Sequence, residues 1–211
     1  MTHPDGHPPS ITAAEALRRL QDGNQRFLDG RARFPTIQKE ILADLARGQH
    51  PYATILCCSD SRVPPELIFD AGFGELFIVR VAGNVLSQEV AGSLQYAGAH
   101  LKTNLFLVMG HDGCGAVQAA LDSLFRGKRE LSRIQALIDG IIPGLTGIDP
   151  SLPPSELLPL AVEANIRHTM RQIFESPEGR ARRAEGRIHL AGAVYDIESG
   201  RVRFLPGAPA P

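Results

Sequence analysis

Tyr52-Ala-Thr-Ile-Leu-Cys-Cys58, Glu75-Leu-Phe-Ile-Val-Arg80 and Asn104-Leu-Phe-Leu-Val-Met109 are three short apolar runs, each bounded by turn-forming residues. Their apolar residues follow one another with little alternation, so each reads as a strand buried on both faces, as in a parallel sheet covered by helices. Helical segments are expected at 64–69, 88–101 and 114–125, between and after these runs. Strand and helix in that alternation build right-handed βαβ units and hence a parallel core.

Outward from this core, toward the N-terminus, Pro51 makes the chain extend after an amphipathic helix marked by Ile37, Ile41, Leu42 and Leu45 and ending near Gly48. An earlier helix starts at the capping box Thr12-Ala-Ala-Glu15, carries Leu17, Leu20, Phe27 and Leu28 at helical spacing, and stops at Gly30. Residues 1–10 show no periodicity and read as a flexible tail. Toward the C-terminus, a loop containing Pro143, Pro150, Pro153 and Pro154 precedes a long helix at 155–175 with apolar positions Leu160, Ile166 and Ile173. That helix is expected to embrace a neighbouring subunit. The stretches 187–196 and 201–204 read as two β segments joined by a turn at Gly200. The expected fold class is α/β: one domain over 11–211, with a central, mainly parallel β-sheet flanked by helices, N-terminal helices before it and C-terminal β segments after it.

A chain of 211 residues with 43% hydrophobic and 21% charged residues suits one soluble domain. Its net charge of −1 offers no bulk positive field to nucleic acid or to an anionic membrane. No apolar run approaches the roughly 18 residues of a membrane span, and the opening MTHPDGHPPS lacks the basic and apolar regions of a secretory signal. Neither nucleic acid nor membrane is an expected partner, and the expected location is the cytoplasm. Three cysteines, two of them adjacent, point to metal or thiol chemistry rather than cross-linking.

Ligands of open α/β sheets bind at the C-terminal ends of the strands. Two such ends here carry reactive residues: Cys58-Ser-Asp60-Ser-Arg62 after the first strand and Gly110-His111-Asp-Gly113-Cys114-Gly115 after the third. The topology brings Cys58, His111 and Cys114 to one sheet edge, and three protein ligands suit a catalytic zinc with one open position. Cys57 belongs to the core, because neighbouring residues on a strand point to opposite faces. Asp60 has two candidate roles, as a metal ligand or as a hydrogen-bond acceptor held in a bidentate pair by Arg62, and the two exclude each other. Gly113 and Gly115 let the backbone come close to the metal loop and turn into the helix.

The motifs C-x-D-x-R and H-x-x-C, standing here as Cys58-Ser-Asp60-Ser-Arg62 and His111-Asp-Gly-Cys114, resemble those of the β-class carbonic anhydrases. The resemblance extends through 17–27, Val79-Arg-Val-Ala-Gly-Asn84, Gln95-Tyr96-Ala97 and Gly192-Ala-Val-Tyr-Asp196. It implies reversible hydration of CO2 to bicarbonate and a proton by a zinc-bound hydroxide, with one Zn2+ per chain on Cys58, His111 and Cys114. It also implies catalytic roles for Asp60 and Arg62, a substrate pocket of Gln49, Phe77, Tyr96 and Gly115, and a homodimer or dimer-based tetramer. Regulated members carry a tryptophan three residues before the first zinc cysteine. Here that position is Ile55, although Arg80 matches the arginine of their bicarbonate site, so the open form of the centre is expected.

Three other readings compete. A hydrolase of carbonyl sulfide or carbon disulfide would use the same scaffold. A phosphate cradle at 110–115 has the wrong spacing for G-x-G-x-x-G and leaves Cys58, Asp60 and Arg62 unexplained. A structural zinc or a redox-sensing thiol group would have Asp60 close the coordination permanently.

Overall fold

Thr12 starts the first helix: its hydroxyl accepts a hydrogen bond from the Glu15 N–H, and α1 (Ala13–Leu28) follows. The Glu15 carboxylate does not close the expected box but goes to Arg18 and Arg19. The computed structural model describes residues 11–33, 42–43 and 45–206. The tail expected over 1–10 lies outside the described residues, as do Ile37 and Ile41 of the expected second helix, of which Leu42, Ala43 and Leu45 are helical.

The chain continues through β1 (Ala53–Cys57), α2 (Pro65–Ile68), β2 (Leu76–Arg80), a single 3-10 turn at Ala82–Asn84, α3 (Gln88–His100), β3 (Leu105–His111) and α4 (Gly115–Arg126). Then come α5 (Ser132–Leu145), α6 (Pro154–Glu175), α7 (Pro177–Ala184), β4 (His189–Tyr195) and β5 (Val202–Phe204). The five strands form one sheet in the order β2-β1-β3-β4-β5, parallel except that β5 runs antiparallel to β4. Every residue of β1 and β3 is buried, as the continuous apolar runs required.

Alternation along β1 divides the interior into two layers. Ile55 and Cys57 pack with Leu20 of α1 and with Ile68 and Phe69 on one face of the sheet. Leu56 and Cys58 pack on the other face with Val117, Ile138, Ile141 and Ile166, contributed by α4, α5 and α6.

Two expectations are corrected. The region assigned to a proline-rich loop contains α5, with Pro143 inside it near the C-terminal end. The missing N–H of Pro143 is tolerated because Ile138, Ile141 and Leu145 anchor the helix in the core. In α6, Ile166 and Ile173 are buried as expected, but Leu160 is exposed.

Candidate metal centre

Register puts the reactive strand ends side by side. Cys57 pairs with Met109, so the chain leaves β1 at Cys58 beside the end of β3, whose last residue is His111. Gly113 then takes φ +65°, a left-handed conformation that suits glycine, and turns the chain so that Cys114 caps α4. Gly115 opens α4, and a Cβ there would meet no protein atom within 4 Å.

The result is a buried cluster in which the Cys58 and Cys114 sulfurs and a His111 ring nitrogen all lie within 4.8 Å of one another. A cation with bonds of about 2.3 Å to sulfur and about 2.0 Å to nitrogen fits such a triangle. His111 Nδ1 stands 2.9 Å from the Asp112 carbonyl, which assigns the proton to Nδ1 and leaves the Nε2 lone pair free. Nε2 is buried without a hydrogen-bond partner. An orphaned imidazole nitrogen beside two thiols is the donor set of a thiophilic, imidazole-binding ion such as zinc.

The two thiols are shifted in opposite directions. A hydrogen bond with Cys114 stabilises the Cys58 thiolate against the cost of burial, with the Gly83 and Asp60 N–H groups adding to it, so Cys58 lies below the ordinary thiol range. Cys114 is correspondingly raised by that bond to Cys58 and by burial. A divalent cation held by Cys58, His111 and Cys114 would let both sulfurs ionise. Cys57 lies in the opposite layer, where burial pushes its thiol up to about 12, as the strand alternation predicted.

Asp60 is held by Arg62 through two parallel bonds, Nε to Oδ1 at 2.9 Å and Nη2 to Oδ2 at 2.8 Å. The Arg62 guanidinium keeps the carboxyl well below the usual carboxylate range. Oδ2 nevertheless stands only 3.8 Å from His111 Nε2, so it borders the centre. Arg80 donates to the carbonyls of Cys58 at 3.1 Å and Asp60 at 2.6 Å and fastens the metal loop to β2.

The expected pocket residues are spread more widely. Phe77 of β2 is half-buried and its ring lies 6.1 Å from that of Tyr96, which is 48% exposed on α3. Core packing therefore does not account for Tyr96. Gln49 is exposed on the loop before Pro51.

The carbonic anhydrase family matches residues 53–202, a stretch that contains all three candidate ligands and the Asp60–Arg62 pair. A β-carbonic anhydrase of Coccomyxa, solved with acetazolamide, superposes with a TM-score of 0.71 at 28% identity, covering 90% of this chain and 86% of that one. This chain belongs to the β-carbonic anhydrase family. The family's reaction is the reversible hydration of CO2, a lyase activity. A carbonic anhydrase of Mycolicibacterium smegmatis is 39% identical over 204 residues, covering 93% of this chain and 95% of the relative. One of two β-carbonic anhydrases of Sordaria macrospora, described as tetrameric, shares the fold with a TM-score of 0.73 at 23% identity, covering 91% and 98%. Carbonyl sulfide and carbon disulfide are not favoured as substrates. Of the glycines in 110–115, Gly113 turns the chain between His111 and Cys114, and Gly110 packs against Ile166 and Val162 of α6.

Reasoning from sequence did not assign roles to Gly83, whose N–H donates to Cys58 Sγ, or to Asn165 and Thr169, which donate to the Gly83 and Asn84 carbonyls. The available signal was a polar residue on each of two turns of the apolar face of α6: Asn165 and Thr169 stand among Val162, Ile166, Met170 and Ile173.

Proposed function

We propose that this chain hydrates CO2 at a centre formed by Cys58, His111 and Cys114 holding one zinc ion, with Asp60 kept out of the coordination by Arg62. The observation that carries this reading is the orphaned, buried His111 Nε2 facing two thiols, beside a carboxylate whose oxygens are both engaged by a guanidinium. Bound there, zinc supplies Lewis acidity, which makes a water nucleophilic near neutral pH.

The chain's own residues do the rest. The Arg62 fork fixes Asp60, and Asp60 Oδ2 is placed to accept a hydrogen bond from the nucleophile's remaining proton, turning its lone pair toward CO2. Two thiolates cancel the formal charge of the ion and weaken the activation, so an oriented acceptor matters more here than beside three neutral imidazoles. Phe77 and Tyr96 supply the apolar wall a small linear substrate needs, Gln49 an amide for the product oxygen, and Gly115 the open backbone beside it. The centre is of the open form. A homodimer or dimer-based tetramer completes the pocket, since Tyr96 and Gln49 are exposed in the single chain. Among the described residues no helix is long and apolar enough to cross a membrane, and all three cysteines are free, which suits a reducing, cytoplasmic setting. A single catalytic domain over 11–211 completes the reading.

Stopped-flow CO2 hydration on zinc-quantified protein at about pH 7 and about pH 9 tests it. Fast turnover at both values with one zinc per chain is expected. Turnover only at the higher value would show that Asp60 closes the centre near neutrality, and a zinc-loaded protein inactive at both would make the metal structural.

A further inference from the structure

Asn165 and Thr169 are polar residues with 0% and 1% exposure on α6, inside the apolar stripe that packs against the sheet. Both donate to the 3-10 turn at Ala82–Asn84: Asn165 Nδ2 to the Gly83 carbonyl at 2.8 Å, and Thr169 Oγ1 to the Asn84 carbonyl at 3.3 Å. The same turn points back at the centre, where the Gly83 N–H donates to Cys58 Sγ at 3.4 Å.

The turn does not hold this shape by itself. Gly83 has φ +67° and Asn84 φ +45°, two successive left-handed residues, and such backbone persists where its surroundings determine it. Ile141 Cδ1 and Ala116 Cβ fill the space beside Gly83, at 2.6 and 3.1 Å from where a Cβ would sit. The Gly83 peptide is thus enclosed by α4 and α5, with its carbonyl fixed by α6.

We propose that Asn165, assisted by Thr169, is a positioning residue for the metal centre: by holding the Gly83 peptide it aims the Gly83 N–H at Cys58 Sγ and tempers that sulfur's electron donation to the bound ion. The proposal rests on the reading that Cys58 is a metal ligand. An N–H directed at a thiolate stabilises the sulfur lone pairs, so moving an electron from sulfur to the metal takes more energy. Outer partners of this kind typically matter by about tenfold or more in metal affinity or activity. If Asn165 only satisfies a buried carbonyl, its loss lowers stability and leaves the sulfur unchanged.

The test loads the full chain with Co2+ and reads the sulfur-to-cobalt charge-transfer absorption, which requires no turnover. Asn165→Leu keeps the branched outline of the side chain and removes the donor, and Ile166→Val serves as a control that loosens the same helix at a residue with no hydrogen bond to the turn. The expected result at full cobalt occupancy is a shift of the band to longer wavelength in Asn165→Leu, with none in Ile166→Val. Zinc affinity in competition with a chelator is expected to change by about tenfold in Asn165→Leu alone. An unmoved band in Asn165→Leu, or an equal shift in Ile166→Val, overturns the proposal. If Asn165→Leu does not fold, Thr169→Val against Thr169→Ser decides it: a shift in the valine variant that the serine variant restores supports the proposal, and no shift overturns it. A wild-type protein with bound cobalt but no thiolate band would instead overturn Cys58, His111 and Cys114 as the centre, and this inference with it.

Discussion

Cys57 and Cys58 share a peptide bond and have opposite chemistry. One points into the layer beneath α1, where burial holds its thiol protonated, and the other meets His111 and Cys114. Cys57→Ala is therefore expected to keep one zinc per chain and normal turnover, at a cost of about 1 kcal/mol in stability. Cys114→Ser is expected to lose zinc and stability together. Metal analysis beside thermal unfolding checks both, and full zinc occupancy in Cys114→Ser would remove it from the ligand set. Asp60→Asn keeps the size of the side chain but gives Arg62 an amide instead of a carboxylate. Turnover is expected to fall by about tenfold to a hundredfold with zinc retained, and stopped-flow rates at matched zinc content measure it. This much of the site was legible in the sequence, because ligand types, their spacing and the two-residue period of a strand are local properties. The contacts of Arg80 with the Cys58 and Asp60 carbonyls, and those of Asn165 with Gly83, were not, since they join residues 20 or more apart through backbone atoms that carry no sequence signal.

The buried strands followed from continuous apolar runs, and α5 was missed although Ile134, Ile138, Ile141 and Leu145 recur at helical spacing. Pro143 argues for a loop locally, and packing against the core overrides it. The short α7 has one buried residue, Gly179, and so had no apolar period to read. Contacts between elements also set where the fold is vulnerable. Gly23 of α1 sits on the end of α2, where a Cβ would lie 1.9 Å from the Phe69 carbonyl oxygen. Gly23→Ala must push the two helices apart, and a loss of about 3 kcal/mol is expected in denaturant unfolding. Asp70, 4% exposed just after α2, ties that corner down by accepting from Arg26 Nε at 2.5 Å and from the Arg33 N–H at 2.7 Å. Burial alone would raise its pKa, but Arg26 and Arg33 together hold it below the ordinary value of 3.8. A carboxylate depressed in the folded state stabilises fully above its unfolded pKa, and that contribution is lost as pH falls through the folded value. Asp70→Asn is thus expected to cost about 2 kcal/mol at neutral pH, with the gap to wild type closing in acid. A melting-temperature difference that stays constant down to about pH 3 would show that charge is not the cause.

For the whole molecule, the distribution of apolar surface supports the proposed assembly of two or more chains. The interior strands β1 and β3 are fully buried, but edge strand β2, with Leu76, Phe77, Ile78 and Val79 just as apolar, is only half-buried. An apolar edge strand left open invites pairing or cover. Close to it, Tyr96 contacts the Phe77 ring and is 48% exposed, and Leu67 and Phe73 are 56% and 57% exposed on the segment leading into β2. Exposed aromatic and aliphatic groups beside an edge strand are what the proposed subunit contact would cover. The same region holds the wall assigned to the CO2 pocket, so assembly and catalysis are expected to fail together. Sedimentation at micromolar concentration should give at least twice the 22.8 kDa chain mass. Tyr96→Lys should weaken association by at least about tenfold and lower turnover at low protein concentration, with recovery as concentration rises. A wild-type monomer that hydrates CO2 at full rate would show that a single chain builds the whole pocket.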